Sequence, residues 1–142
     1  MAGAGPGFAE AMKKYPVRLA GNGSAAGWAA PVALARAYLD LTRHGREAAV
    51  LPVLQGLGLS AQKGTGKAAG DALPHTTAMA KTGTAPCAHA KKAPGDGFAI
   101  VMSPADHPRA VLLVRLHGHP GFMAAGVAGR MIAAVEGEVA SQ

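Results

Sequence analysis

Two apolar runs, Gly97 to Met102 and Arg109 to His117, flank the segment Ser103-Pro104-Ala105-Asp106-His107-Pro108, and a proline-led helical stretch follows them. No other feature of this 142-residue chain constrains its fold as strongly. Turn formers this dense reverse the chain between short apolar segments, so the two runs are predicted to pair as antiparallel strands. The second run is almost continuously apolar through Ala110-Val111-Leu112-Leu113-Val114, which predicts cover on both of its faces. Pro120 to Glu136 reads as a helix, with proline at its start and Gly137 at its end. Phe122, Val127, Met131 and Val135 make one apolar stripe on it. Ala124, Ala125, Ala128 and Gly129 keep the remaining surface small enough to lie close against a sheet.

Upstream, Pro31 to His44 is predicted as a helix. Leu34, Tyr38 and Leu41 recur at helical spacing, Ala35 and Leu39 widen the stripe, and Gly45 terminates it. Val53 to Gln62 reads as a shorter helix, weakened by nearby Pro52 and by Gly56 and Gly58, after which Gly64-Thr65-Gly66 breaks the chain. Thr76 to Ala85 reads as a strand and Pro86 to Gly95 as a polar loop. A short helix over Phe8 to Lys14 would end at Pro16. Residues 1–20 form a poorly defined segment, and 21–142 the domain proper. The order strand, strand, strand, helix makes the class α+β: an antiparallel sheet packed by a C-terminal helix and an N-terminal helical region.

Composition narrows the functional classes. The net charge is +6, but the charges are scattered and aromatic residues make up only 4%. Stacking platforms for nucleic acid are therefore scarce, and no nucleic-acid partner is expected. A single cysteine, Cys87, excludes an internal disulfide. No apolar run approaches the roughly 18–20 residues that span a membrane. No apolar segment follows Lys13-Lys14 as in a signal peptide, so neither signal nor anchor is expected in the chain. Cys87-x-His89 and His117-x-His119 could offer four metal ligands, each pair on one face if strand alternation holds. The usual cysteine spacings are absent, and neither a metal nor a cofactor is expected. Gly64-Thr65-Gly66-Lys67 falls short of a phosphate loop, because Ala61 and Ala68 stand where glycine and a hydroxyl residue are required.

The run Lys81-Thr82-Gly83-Thr84-Ala85 carries a family likeness, and it does not stand alone. Gly21-Asn22-Gly23 is followed by Pro31-Val32-Ala33-Leu34-Ala35-Arg36-Ala37-Tyr38. Gly64-Thr65-Gly66 precedes the motif strand, Gly97-Phe98 opens a strand leading to Pro104-Ala105-Asp106-x-Pro108, and Ala124-Ala125-Gly126-Val127-Ala128-Gly129-Arg130 closes the series. In this order the elements resemble the last third of a penicillin-binding protein transpeptidase domain, over roughly 120 residues. The resemblance implies acyl transfer by a serine that attacks a D-Ala-D-Ala stem peptide of peptidoglycan, or a β-lactam. It implies that Lys81 places positive charge beside the serine and the substrate carboxylate. Thr82 and Thr84 would hydrogen-bond that carboxylate, Gly83 would let the substrate backbone approach, and the Thr84 N–H would be an oxyanion donor. Lys81 and Thr84 are thus the candidate catalytic residues, and Lys81, Thr82, Gly83 and Thr84 the candidate substrate-binding set.

The family's other two motifs do not fit. Asn22 is the only asparagine, and Ala20 stands where Ser-x-Asn requires serine. The one Ser-x-x-Lys string, Ser60-Ala61-Gln62-Lys63, lies too close to Lys81 to match the family's early nucleophile. The chain is therefore expected to be the C-terminal piece of such a domain, inactive alone, with the missing N-terminal part as its partner. The alternative is a non-catalytic binding or structural module of the cell envelope. The family's place is the cell envelope, on the periplasmic side of the inner membrane.

Overall fold

The computed structural model describes residues 18–19, 27–28, 31–86 and 95–140. The predicted Phe8–Lys14 helix, the Gly21-Asn22-Gly23 element, Cys87 and His89 lie outside them. The chain divides into two compact units, Met1–Leu54 and Gln55–Gln142.

In the first unit, β1 (Arg18–Leu19) pairs antiparallel with β2 (Gly27–Trp28), a short ribbon with no signal in the sequence periodicity. Helix α1 (Pro31–Arg43) follows as expected and buries Ala37, Asp40 and Leu41. Buried Asp40 is held at its C-terminal end by Arg43 Nη1 at 2.5 Å. Burial raises the Tyr38 phenol above its ordinary pKa. Helix α2 (Leu51–Lys63) runs across the boundary between the units, with glycines at 56 and 58 in its interior.

The second unit carries the sheet. Strands β3 (Met79–Ala85), β4 (Asp96–Ser103) and β5 (Ala110–His117) form an antiparallel sheet in the order β3-β4-β5. Helix α4 (Gly121–Ala140) returns across one face. The architecture is α+β, as the turn and strand pattern predicted. Ser103 and Arg109 close the β4–β5 turn through Arg109 N–H to Ser103 O at 2.9 Å, and the Ser103–Pro104 peptide is cis. Gly118, at φ +70°, swings the chain from β5 toward the helix.

One sequence expectation gives way here. Cover on both faces goes to β4, not β5. Strand β5 is an edge strand, half-buried from Ala110 to Val114 and exposed at Arg115 and His117. Central β4 is buried at seven of its eight positions. A long apolar run can mark an edge strand lying under a helix as readily as a central one. The packing face of α4 is the small-residue surface expected to lie close against a sheet, and the large-residue stripe faces away from it. Phe122, Met131 and Val135 are exposed, whereas Ala124, Ala125 and Ala128 are fully buried and Ile132 nearly so. These small side chains pack on Ala80, Ala99 and Val101 of the sheet, with Leu112 and Val114 at the margin. The helix lies so close to the sheet that little more than a methyl group fits between them.

The segment 67–71 forms a one-turn helix, α3 (Lys67–Asp71), that was not expected from sequence. It is too short for periodicity to reveal, and tertiary packing holds it. Ala69 is fully buried, and a Cβ on Gly129 of α4 would stand 2.7 Å from Ala69 O. Glycine at 129 is what lets α3 and α4 touch.

Candidate functional site

The motif strand β3 lies at the edge of the sheet. Lys81, Gly83, Thr84 and Ala85 are exposed and Thr82 is half-buried. Strand alternation divides the motif between two faces. Thr82 and Thr84 share the helix-covered face with Ala80, while Lys81 and Gly83 share the other with Met79. Among the described residues, the long side of β3 away from β4 has no strand partner, so some of its backbone groups are open to an extended ligand.

The site is built around the start of α4. A Cβ on Gly121 would lie 2.4 Å from Gly83 O and 3.0 Å from Gly83 C and N, so the first turn of the helix rests on the backbone of the motif. Gly97, paired with Thr84 across the ladder, is equally tight, because its Cβ would lie 2.4 Å from His119 O and 2.5 Å from Pro120 C. On the open side of Gly83 the reverse holds. A Cβ there would meet nothing within 4 Å, which is room for a ligand backbone.

This packing sets the hydrogen bonds. Gly121 N–H donates to Thr84 Oγ1 at 3.0 Å. With that lone pair engaged, the Thr84 hydroxyl proton is left to donate to an acceptor. The positive end of the α4 dipole stands behind it, since Gly121 opens the helix. Thr82 Oγ1 lies 2.6 Å from Thr65 Oγ1. Lys81 Nζ turns back to donate to Thr82 O. At this exposed strand end the two hydroxyls and the start of α4 lie on one face and the Lys81 ammonium group comes from the other, and donors of this kind along an open edge favour an anion that accepts hydrogen bonds, such as a carboxylate. Sequence reasoning assigned no role to Thr65 or Gly121. Their only signal was position: Thr65 within the Gly-Thr-Gly element, and Gly121 directly after Pro120.

Ser60 sits half-buried on α2, while Lys63 is exposed. A Cβ on Gly66 would come within 2.9 Å of Ser60 Oγ, so the serine packs on the Gly64-Thr65-Gly66 turn.

Beyond the motif, the same end of the sheet is fastened by Asp96, which pairs in register with Ala85. Asp96 is 4% exposed; Arg115 donates to its Oδ2 from Nε at 2.9 Å and also from Nη2, and His117 Nδ1 lies 2.7 Å from Oδ1. The Arg115 hydrogen bond, opposed by desolvation and assisted by His117, brings the Asp96 pKa down to about 2. This occupation of His117, with the break at Gly118, overrides the alternation that was to present His117 and His119 together as ligands. Because the folded pKa lies below the unfolded one, Asp96 stabilises the fold above about pH 4, and that contribution is lost as pH falls toward 2. In denaturant melts from pH 2 to 5, the gap between wild type and Asp96→Asn should widen steadily with rising pH.

No protein-family model matches the sequence, and no curated protein does. Solved structures do match. The transpeptidase domain of the FtsI4 D,D-transpeptidase from Legionella pneumophila superposes with a TM-score of 0.60 at 23% identity, over 76% of this chain and 46% of that one. The fold is that of part of a D,D-transpeptidase domain. The chain spans less than half the length of the domain it matches. A second match, the D,D-transpeptidase domain of a peptidoglycan glycosyltransferase from Eggerthella lenta, has a TM-score of 0.41 at 26% identity. It covers 81% of this chain and 23% of that one. No helix among the described residues is long and apolar enough to cross a membrane.

Proposed function

We propose that residues 21–142 are the C-terminal portion of a penicillin-binding transpeptidase-like domain and form the substrate-holding wall of its site at the cell envelope. The ligand is the carboxylate end of a peptidoglycan stem peptide, or the carboxylate of a β-lactam. One observation carries this reading. The strand Lys81-Thr82-Gly83-Thr84 stands open at a sheet edge, with the Thr84 hydroxyl already accepting a hydrogen bond from the start of α4. Lys81 supplies the charge that draws the carboxylate in, and Thr82 and Thr84 supply hydroxyls. Gly83 leaves room for the ligand backbone, and the Thr84 N–H serves as an oxyanion donor, a contribution of about 3 kcal/mol to a barrier of this type.

The serine that would be acylated is not among these 142 residues. The packing of Ser60 on Gly66 suits a structural hydroxyl better than a nucleophile. By itself the chain therefore binds without forming an acyl-enzyme, whether it completes a catalytic domain or serves as a binding module. A fluorescent penicillin tests this. Anisotropy should rise with the chain, and a denaturing gel should show no label. A covalent adduct mapped to Ser60 would give the chain its own nucleophile. No rise in anisotropy and no label would remove the carboxylate-binding reading.

A further inference from the structure

We infer that Thr65 is a positioning residue for the candidate site: its hydroxyl fixes the Thr82 hydroxyl in the orientation that presents it to a carboxylate. This rests on the function proposed above, to which it adds a residue outside the motif strand. Two independent contacts support it. Gly66 presses on β3 so tightly that a Cβ there would stand 2.5 Å from the Ala80 Cβ. One residue earlier in the turn, Thr65 Oγ1 meets Thr82 Oγ1 at 2.6 Å. Ala80 and Thr82 are successive side chains on one face of β3, so the turn runs alongside the strand and touches both. The turn is itself held at both ends, by Gly64 N–H to Ser60 O at 3.0 Å and Lys67 N–H to Gly64 O at 3.1 Å. Thr65 therefore reaches Thr82 from a rigid support.

The chemistry follows from hydroxyl counting. A threonine hydroxyl has one proton and two lone pairs. When Thr65 donates to Thr82, the Thr82 proton is released for a ligand acceptor, and the bond it accepts strengthens the one it gives. With that bond gone, the Thr82 side chain redistributes among its rotamers, and a carboxylate must select the productive one at a cost in affinity.

The test uses the full chain labelled for NMR, with a peptide ending in D-alanyl-D-alanine as the probe. In the free protein, three-bond couplings should report one Thr82 χ1 rotamer in wild type and in Thr65→Ser, and averaged rotamers in Thr65→Val. A single rotamer in Thr65→Val overturns the inference. Peptide affinity should fall about three- to tenfold in Thr65→Val, with recovery in Thr65→Ser, as expected for one neutral hydrogen bond. A loss at least as large should appear in Thr82→Val, and the double variant should lose no more than Thr82→Val alone. Additive losses also overturn the inference. If wild type binds no peptide while the rotamer result holds, the fault lies with the proposed function, and the Thr65–Thr82 coupling stands.

Discussion

Replacing Gly121 with alanine is expected to destabilise the protein by about 2–3 kcal/mol, the upper part of the range for overpacking a tight contact. The added Cβ would stand 2.4 Å from Gly83 O, and that atom belongs to a backbone paired in the sheet, which cannot rotate aside as a flexible side chain would. Alanine is the better helix former by roughly 1 kcal/mol in a helix interior. Gly121 is the first residue of α4, where that gain is smaller than the clash. An internal control separates the two effects. A Cβ on Gly56 of α2 would meet nothing within 4 Å, so Gly56→Ala should stabilise by about 0.5–1 kcal/mol. Urea melts of both variants check the pair. Gly121→Ala should also weaken carboxylate binding, because any shift of α4 away from Gly83 withdraws the N–H that organises the Thr84 hydroxyl. Gly121→Ala as stable as wild type would mean that the helix start does not bear on the motif.

The contrast between these two glycines shows why some of the structure was legible in the sequence and some was not. Strands and helices followed from local pattern. The Ser103–Pro108 turn, the proline at 120 and the spacing of Leu34, Tyr38 and Leu41 each act within a few residues of themselves. The motif strand was readable for the same reason, since Lys81-Thr82-Gly83-Thr84 is contiguous. The pairing of Thr65 with Thr82 spans 17 positions and that of Thr84 with Gly121 spans 37, and no periodicity encodes either. The small-residue surface of α4 was legible too, as the run of alanines and glycine able to lie close against a sheet. On α4 the large residues face out and the alanines face in, because the distance from helix to sheet, not hydrophobicity alone, decides which side chain fits. The apolar run of β5 likewise indicates cover by α4 on one face, while its place at the edge of the sheet is set by strand order.

Lys81→Met is expected to weaken binding of a D-alanyl-D-alanine peptide by about tenfold to hundredfold, the equivalent of a hydrogen bond between charged groups at roughly 1.5–3 kcal/mol. Methionine keeps much of the apolar stem and removes the ammonium group, so the loss is assigned to charge and not to packing. Lys81 is exposed, which places the effect toward the smaller end of that range and makes it sensitive to salt. Stability should scarcely change, because among the described residues the hydrogen bond of its ammonium group is to the carbonyl of adjacent Thr82. Three comparisons make the assignment specific. Wild type should lose affinity as salt is raised, whereas Lys81→Met should lose little. The methyl ester of the same peptide, which lacks the carboxylate charge, should bind both proteins alike. Lys81→Arg should recover part of the loss, since it restores charge without the compact geometry of an ammonium group. Equal affinity of wild type and Lys81→Met for the free acid would detach the motif lysine from carboxylate recognition. The hydroxyls of Thr82 and Thr84 would then be left as the whole of the polar site.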